Sequence, residues 1–327
     1  MARRLFKTIL VAVEFPNERR QSGLAKAAEL ARRLGARLIL VHCAFHPYAQ
    51  PPGLHNAIFE QGIEKSLAAR GSALERLARP LRRRGLKVTV RLLWDYPAFE
   101  GIVREVLRSK PDLVVAESKR HAFGARLFLA NNDWQLILNC PAPLLLVKKA
   151  SIYGKARVLA AIDPLHVHAR SGQLDKRILE LAQALTTALA GRLDVVHAYL
   201  PISSLAIAAV GETVVVPVDP QIERRYALDA KRAVDRVALP LKLPHRQLHV
   251  EPGQPEFLIR NLAKRLHADM VVMGAVSRRG LKRVFIGNTA ERVLDALRCD
   301  LLVVKPAGFK TRVAKRPTPG RLLLATL

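Results

Sequence analysis

The sequence predicts an α/β protein built from two similar domains in tandem. Short β-rich runs alternate with longer helical patterns, which is the arrangement typical of parallel βα units. The same order of signals occurs twice, over residues 7–147 and 156–304. A repeat of about 150 residues is too long for a solenoid unit and matches a complete domain. We therefore expect two domains, each with its own sheet and its own core.

The duplication is visible in phrases that recur in the same order. The phrases of the first copy are TILVAVEF (8–15), GARLILVHC (35–43), PDLVVAES (111–118) and CPAPLLLVKK (140–149). Their counterparts in the second copy are RVLAAIDP (157–164), GRLDVVHAY (191–199), ADMVVMGAVS (268–277) and CDLLVVKP (299–306).

In the first copy, each element has a local signal. Helix 20–34 places Leu24, Ala27 and Ala31 on one stripe, and Gly35 ends it. Strand 143–147 is almost continuously apolar, as expected of a strand covered on both faces. The predicted strands are 7–13, 37–43, 87–93, 112–116 and 143–147, and the predicted helices are 20–34, 57–84, 97–109 and 132–139.

The second copy repeats the series. Pro255 opens its third helix as Pro97 does in the first copy, at a position where the missing N–H of proline costs nothing. The predicted strands are 156–162, 193–199, 246–251, 269–273 and 301–304, and the predicted helices are 173–190, 221–239, 255–266 and 288–297.

These patterns give domains at residues 1–149 and 156–306, followed by a basic and flexible tail at 307–327. The linker 148–155 is short, so we expect the two domains to pair within the chain. No run of about 20 uncharged apolar residues is present, so we expect no membrane span and a cytoplasmic location. The three cysteines show no C-x-x-C spacing, which indicates reduced thiols.

The net charge is +27, and the excess is spread along the chain. The first 150 residues hold 26 Lys and Arg against 12 Asp and Glu. Two interpretations stay open. In the first, the charge attracts nucleic acid, nucleotides or anionic lipid. In the second, it has no binding role and only reflects a frequent choice of arginine at solvated surface positions. No basic motif interleaved with aromatic residues occurs, so sequence-specific binding of nucleic acid is not expected.

Ligands of doubly wound sheets bind at the carboxyl ends of the strands. In the second copy these ends carry Asp163, His197 and Gly274, and the step Gly287-Asn288-Thr289 follows. A glycine admits a ligand to the backbone, and a helix start offers unpaired N–H groups to phosphate. The alternative is structural. Asn288 with Glu291 has capping-box spacing, Asp163-Pro164 suits a turn, and His197 suits a hydrogen-bonded core position.

These residues resemble the universal stress proteins in their tandem form, and most closely the E-type. The resemblance covers nearly the whole chain. Nucleotide-binding members carry Gly-x2-Gly-x9-Gly-Ser/Thr after the fourth strand. This sequence has GAVSRRGLKRVFIGNT (274–289), in which Ser277 replaces the second glycine and Asn288 replaces Ser/Thr. The phrase NTAERVLDALRCDLLVVKP (288–306) is similar to the E-type signature.

The resemblance implies two Rossmann-like domains of the adenine nucleotide α-hydrolase type. Each would be a five-stranded parallel sheet of order 3-2-1-4-5 with helices on both faces. ATP or another adenine nucleotide would be the ligand of the second domain, with no metal. Asp163 would approach the adenine or ribose, and Val196 would line the crevice. The residues that would face the phosphates are Gly274, Ser277, Gly287, Asn288 and Thr289.

The first copy departs further from this motif. Ala116 stands where the glycine is expected, Glu117 adds a negative charge beside any phosphate, and Asn131-Asn132 lack glycine. We expect this copy not to bind ATP and to serve as a structural partner.

The sequence contains no nucleophile elbow, P-loop lysine or zinc-protease motif, so no catalytic residue is assigned. We expect a non-catalytic stress-response protein with a regulatory or protective role. A weak ATPase is a less favoured alternative. The alternative is a structural or interaction protein. It would use the apolar segment 200–218 or the basic surface to bind an apolar ligand, a protein or nucleic acid. Association into a homodimer also stays open.

Overall fold

A computed structural model of the chain describes residues 5–44, 57–118, 132–165, 172–202, 219–275 and 296–316. The apolar segment 200–218 beyond Ile202 and most of the helix predicted at 288–297 lie outside the described residues. The fold divides into two compact units. The first contains the chain up to Tyr153 and the described residues from Phe309 onward, and the second contains Gly154–Gly308.

The first unit alternates strands and helices in the predicted order. Its elements are β1 (Thr8–Ala12), α1 (Ser22–Leu34), β2 (Arg37–Ala44), α2 (Ala57–Arg83), β3 (Val88–Trp94), α3 (Ala98–Ser109), β4 (Leu113–Glu117), α4 (Asn132–Asn139) and β5 (Leu144–Val147).

The second unit repeats the alternation. Its elements are β6 (Arg157–Ala161), α5 (Gly172–Ala188), β7 (Arg192–Tyr199), α6 (Pro220–Ala238), β8 (Leu248–Pro252), α7 (Pro255–Arg265), β9 (Met270–Gly274) and β10 (Asp300–Val304). Two short 3₁₀ turns, Leu239–Leu241 and His245–Gln247, separate α6 from β8. In both units the bounds of these helices and strands lie within two residues of the prediction.

Each unit has a parallel sheet with the strand order 3-2-1-4-5. In the first unit β1 pairs with β2 and β4, β3 lies outside β2, and β5 lies outside β4. In the second unit β6 pairs with β7 and β9, β8 lies outside β7, and β10 lies outside β9. The fold class and the strand order predicted for each domain are confirmed.

The central strands are buried because helices cover them on both faces. Ile9 and Leu10 of β1, and Leu159 and Ala160 of β6, have no exposed surface. The predicted end of α1 is also found, since Gly35 adopts a left-handed conformation with φ of 69°.

The strand register shows which residues of the two units are equivalent. Asp112 accepts the N–H of Thr8 where β1 begins, and Asp269 accepts the N–H of Arg157 where β6 begins. Ala12 then lies opposite Val41 and Ala116, while Ala161 lies opposite Val196 and Met273. Position by position, the first unit can therefore be compared with the second.

A buried ion cluster lies beside the end of β3. The Arg104 guanidinium binds the Asp95 carboxylate through Nη1 and the Glu100 carboxylate through Nη2, the latter at 2.6 Å. The three side chains are only about a tenth exposed. Next to them, the Cys43 thiol donates to the Asp95 carbonyl at 3.2 Å. Burial and the Asp95 charge raise the pKa of Cys43 to about 12, so this thiol is unreactive.

The residues after β10 return to the first unit. Val313 is buried, and the Ala314 carbonyl accepts a hydrogen bond from Arg104 Nε at 3.0 Å. The apolar residues Phe309 and Val313, placed among basic ones, explain why this stretch packs although it was predicted as part of a flexible tail. Flexibility stays a prediction for residues 317–327, which are outside the described ranges.

None of the helices in the described ranges is long and apolar enough to cross a bilayer.

Replacing Arg104 with Ala should lower the stability of the protein. The change leaves two buried carboxylates without a cation, a loss expected to cost about 3 kcal/mol. Arg104→Lys should restore only part of this, because a single ammonium cannot bind three acceptors in the fork geometry of a guanidinium. Urea unfolding midpoints of the full chain provide the measurement. Arg32→Ala is the control, since Arg32 pairs with Glu29 on the surface. Equal midpoints for the Arg104→Ala and Arg32→Ala variants would contradict the role of the cluster.

Candidate functional site

Three of the predicted site residues lie at the carboxyl edge of the second sheet. Asp163 follows β6 by two residues, Val196 lies in β7 opposite Ala161, and Gly274 ends β9. Since β6 is paired with both β7 and β9, the register brings these positions to neighbouring strand ends. Val196 is 1% exposed, so it belongs to the sheet beneath the edge.

The loop after β6 is held by a carboxylate that sequence reasoning missed. Asp175, in the first turn of α5, accepts the main-chain N–H of Asp163 at 2.9 Å and is 4% exposed. An acid in the first turn of a helix is a common local feature. The only available signal was therefore weak, because the partner lies twelve residues away.

The other predicted site residues are Ser277, Gly287, Asn288 and Thr289. They lie outside the described residues, so the predicted phosphate loop stays a prediction.

Gly274 has a packing reason to be glycine. A Cβ atom built on it would lie 2.8 Å from Leu174 Cδ2 and 3.4 Å from Ile178 Cδ1, both on α5. The backbone of β9 and this helix therefore approach each other closely at the strand end. Helix packing is sufficient to explain this glycine without a ligand.

The first unit reverses this arrangement. Ser118 donates to Val147 as Ala275 donates to Val304, so Glu117, the residue before Ser118, occupies the place of Gly274. We expected Ala116 there. The assignment to Ala116 was wrong by one residue, because the phrases PDLVVAE (111–117) and ADMVVMG (268–274) align without a gap and pair Glu117 with Gly274. In the first unit the glycine of this contact is on the helix: a Cβ atom built on Gly23 would lie 3.5 Å from Glu117 Cβ.

The Glu117 carboxylate closes the edge of the first sheet. It accepts the N–H of Gly23 at 3.2 Å, at the start of α1, where the helix dipole favours a negative charge. A crevice of about 20 Å³ remains between Glu117, Glu14 and Phe15, enough for a water molecule. A carboxylate of the chain thus takes the place that a ligand's anionic group would need.

A histidine lies two residues before the end of the second strand in both sheets. His42 Nδ1 donates to the Val13 carbonyl at 2.8 Å, and His197 Nδ1 donates to the Ile162 carbonyl at 3.1 Å. A carbonyl can only accept, so Nδ1 carries the proton and Nε2 presents a lone pair. Burial lowers the pKa of both imidazoles below the ordinary value of 6.5, so both are neutral at pH 7.

The two Nε2 atoms have different surroundings. Arg70 Nη1 donates to His42 Nε2 at 3.0 Å. His197 Nε2 is buried, and no donor among the described residues reaches it. The His197 ring stacks on Tyr199 at 6.5 Å between centroids, and Tyr199 meets the edge of Tyr226 at 5.6 Å.

A family model supplies the deciding observation. The model of the universal stress protein family matches residues 5–148 and again residues 156–305. This chain belongs to the universal stress protein family. The resemblance predicted from the repeated motifs is confirmed, including the tandem form.

Relatives of the same length support this membership. Universal stress protein E of Escherichia coli (strain K12) is 31% identical over 325 residues, which cover 94% of this chain and 97% of that protein. The universal stress protein E homolog of Haemophilus influenzae is 26% identical and covers 92% and 98%. The predicted similarity to the E-type of the family is thus confirmed.

Solved structures show the same fold. A putative universal stress protein from Pseudomonas aeruginosa UCBPP-PA14 is 27% identical, with a TM-score of 0.69 over 94% of this chain and 95% of that one. A family member from Archaeoglobus fulgidus is 15% identical, with a TM-score of 0.64 over 93% and 99%, and supports the fold alone.

Clusters of metal ligands were sought in the same ranges. The described residues contain no group of three or more His, Cys, Asp or Glu side chains arranged to hold a metal ion.

Gly274→Ala should destabilise the protein by about 1–2 kcal/mol, because the new methyl group collides with Leu174. The penalty should shrink in a Leu174→Ala background, where the space is vacated. Gly23→Ala is the matched control in the first unit. Its methyl group meets Glu117 at ordinary contact distance, so we expect no loss and a gain of up to about 1 kcal/mol from helix propensity. Urea unfolding of the wild-type protein, the three single variants and the double variant provides the measurement, and equal penalties at Gly274 and Gly23 would contradict the packing account.

Stability should fall as the pH drops below 6.5. The pKa of His197 is lowered in the folded state, so the unfolded chain takes up a proton first. The contribution of the neutral His197 to the free energy of unfolding is therefore fully present above pH 6.5. It is lost as the pH falls towards the pKa of His197 in the folded state. His197→Phe should reduce this loss between pH 7.5 and 5.5, leaving the part due to His42. Exposed His245, changed to Phe, is the control and should keep the wild-type slope. Identical slopes for both variants would argue against a buried neutral His197.

Proposed function

We propose that this stress-response protein has a non-catalytic, regulatory or protective role, and that its second unit binds an adenine nucleotide. A stress-response role follows from family membership. The single observation that supports nucleotide binding is the difference at the end of the fourth strand. The first unit carries the Glu117 carboxylate there, and the second carries Gly274.

The difference matters because a nucleotide brings phosphates to this edge. In the first unit the Glu117 carboxylate already accepts the Gly23 N–H, and it would repel an incoming phosphate. Gly274 brings no such charge, and the side chain that packs beside it is the uncharged Leu174, so no carboxylate repels a phosphate at this position. The nucleotide would lie along Asp163 and Gly274 and reach the predicted loop from Ser277 to Thr289. The first unit then acts as a structural partner.

The non-catalytic role is supported by the way the polar groups at this edge are engaged. The buried Asp175 carboxylate holds the main chain at Asp163, and His197 Nδ1 holds the carbonyl of Ile162. A group that already anchors the main chain is poorly suited to move a proton in a reaction. Ligand binding would instead shift the populations of existing conformations. We place this role in the cytoplasm, and association into a homodimer is compatible with it.

A millimolar adenine nucleotide should raise the melting temperature of the full-length protein, because a ligand that binds only the folded state stabilises it. Asp163→Asn and Gly287→Glu should each remove most of the rise. Glu14→Gln is the matched control, since Glu14 is the equivalent of Asp163 in the first unit. This variant should keep the full shift. The absence of any shift in the wild-type protein, or a loss in the Glu14 variant alone, would contradict a site in the second unit.

The same samples separate binding from hydrolysis. Phosphate release with ATP and Mg²⁺ should stay at the rate of a protein-free blank. Release above the blank that disappears in Asp163→Asn would replace the non-catalytic proposal by an ATPase.

A further inference from the structure

The histidines His42 and His197 are equivalent, yet among the described residues only His42 has a donor for its Nε2 atom. They occupy the same register position, one residue after Val41 and Val196. Each uses Nδ1–H for the main chain and leaves an Nε2 acceptor. A buried acceptor without a donor costs about 1–3 kcal/mol, so the lone pair of His197 needs an explanation.

The first unit shows which group fits this acceptor. Arg70 of α2 points its guanidinium at His42 Nε2. Burial does not fix the equivalent position on α6, since Ala230, Val234 and Ala238 are all buried at successive turns. The ring contacts identify it: Tyr226 of α6 packs on Tyr199, and Tyr199 stacks on His197. Tyr226 is therefore the residue of α6 that lies on the side of His197, as Arg70 of α2 lies beside His42. The second unit therefore keeps the acceptor and replaces the donor by a tyrosine.

The residues around His197 suit a cation. Tyr199 replaces Ala44 of the first unit, and its ring packs between those of His197 and Tyr226. The faces of tyrosine rings attract cations, and a planar guanidinium also stacks on them. The carboxylates that act on these rings are Asp163 near His197 and Glu223 near Tyr199. Both are negative, in a chain whose net charge is +27.

We propose that the second unit binds a guanidinium group of a ligand between β7 and α6, with His197 Nε2 as its buried hydrogen-bond acceptor and Tyr199 and Tyr226 as its aromatic walls. The ligand carries the chemistry that Arg70 supplies internally in the first unit. It is an arginine side chain of a peptide or a free guanidino compound.

Entry to the acceptor requires a local movement. His197 is 2% exposed, whereas Tyr199 and Tyr226 are half-buried. Because Tyr226 stands in the place of Arg70, its ring is the group that must turn aside. Glu223 accepts the N–H of Ile202 at 3.1 Å, which fixes its carboxylate at the mouth of this space. The acceptor lies on the opposite face of the sheet from Val196. Asp163 acts on His197 and also belongs to the proposed nucleotide site, so the guanidinium titration is carried out without nucleotide.

The test is a titration of the full-length protein, labelled with ¹⁵N-histidine and free of nucleotide. The probes are ethylguanidinium and the peptide acetyl-Gly-Arg-Gly-amide. We expect either probe to shift the His197 Nε2 resonance saturably. Tighter binding of the peptide identifies a protein partner as the source, and equal binding identifies a free guanidino compound. The peptide with citrulline in place of arginine has the same shape without the charge and should bind at least about tenfold more weakly.

Two variants control the site. His197→Phe keeps the ring and removes the acceptor, so the affinity should fall at least about tenfold. Tyr226→Arg supplies the internal guanidinium of the first unit. This variant should lose the response to both probes and melt at a higher temperature without them, so it remains informative if the phenylalanine variant folds poorly. In the first unit, Arg70→Ala vacates the equivalent place and should add a second binding event detected at His42.

Several outcomes would overturn the proposal. They are no saturable shift with either probe, a response that survives in both His197→Phe and Tyr226→Arg, and equal binding of the citrulline peptide. A His197 Nε2 resonance that already has the value of a hydrogen-bonded nitrogen without probe would also overturn it, because a bound water would then satisfy the acceptor.

Discussion

The hydrogen bond from a buried imidazole to the main chain controls the carboxyl edge of both sheets. It joins the second strand, two residues before its end, to the residue after the first strand, through His42 and Val13 and through His197 and Ile162. The main chain also pairs here, since Val13 donates to Val41 and Ile162 donates to Val196, so the imidazole adds a second connection to the same residue. The bond also fixes the tautomer and leaves a lone pair facing the helix that follows. Which residue meets that lone pair then distinguishes one unit from the other.

The first unit satisfies its polar groups internally. Glu117 occupies the start of α1, Arg70 reaches His42, and Arg104 joins two buried acids to the C-terminal segment. Each contact fills a place where an anion, a cation or a solvent molecule could otherwise bind. The second unit has Gly274 and Tyr226 at the equivalents of the first two places. Both copies therefore keep the same scaffold, but only the first occupies these two places at the carboxyl edge of its sheet with the charged side chains of Glu117 and Arg70.

Sequence patterns predicted the elements well because each carries a local signal. Apolar alternation, Gly35 after α1 and the proline that opens α7 are signals that depend on neighbours within a few residues. The contacts at the edge depend on pairs far apart, such as Gly23 with Glu117 across 94 residues. The hydrophobic periodicity of the sequence carries no signal for such contacts. The lone acceptor of His197 was hidden for this reason. The one-residue error at Ala116 was different, because the two copies of the phrase align without a gap and already pair Glu117 with Gly274.

The asymmetry has an energetic logic. A group that binds a ligand must be left without an internal partner, and this costs stability until the ligand arrives. Among the described residues, the first unit engages the polar groups at its edge through Glu117, Arg70 and Arg104. The C-terminal segment adds to this, because Val313 and Ala314 follow the second sheet yet pack in the first unit. The cost of an open acceptor therefore falls on the second unit, and a ligand that binds its folded state would recover that cost.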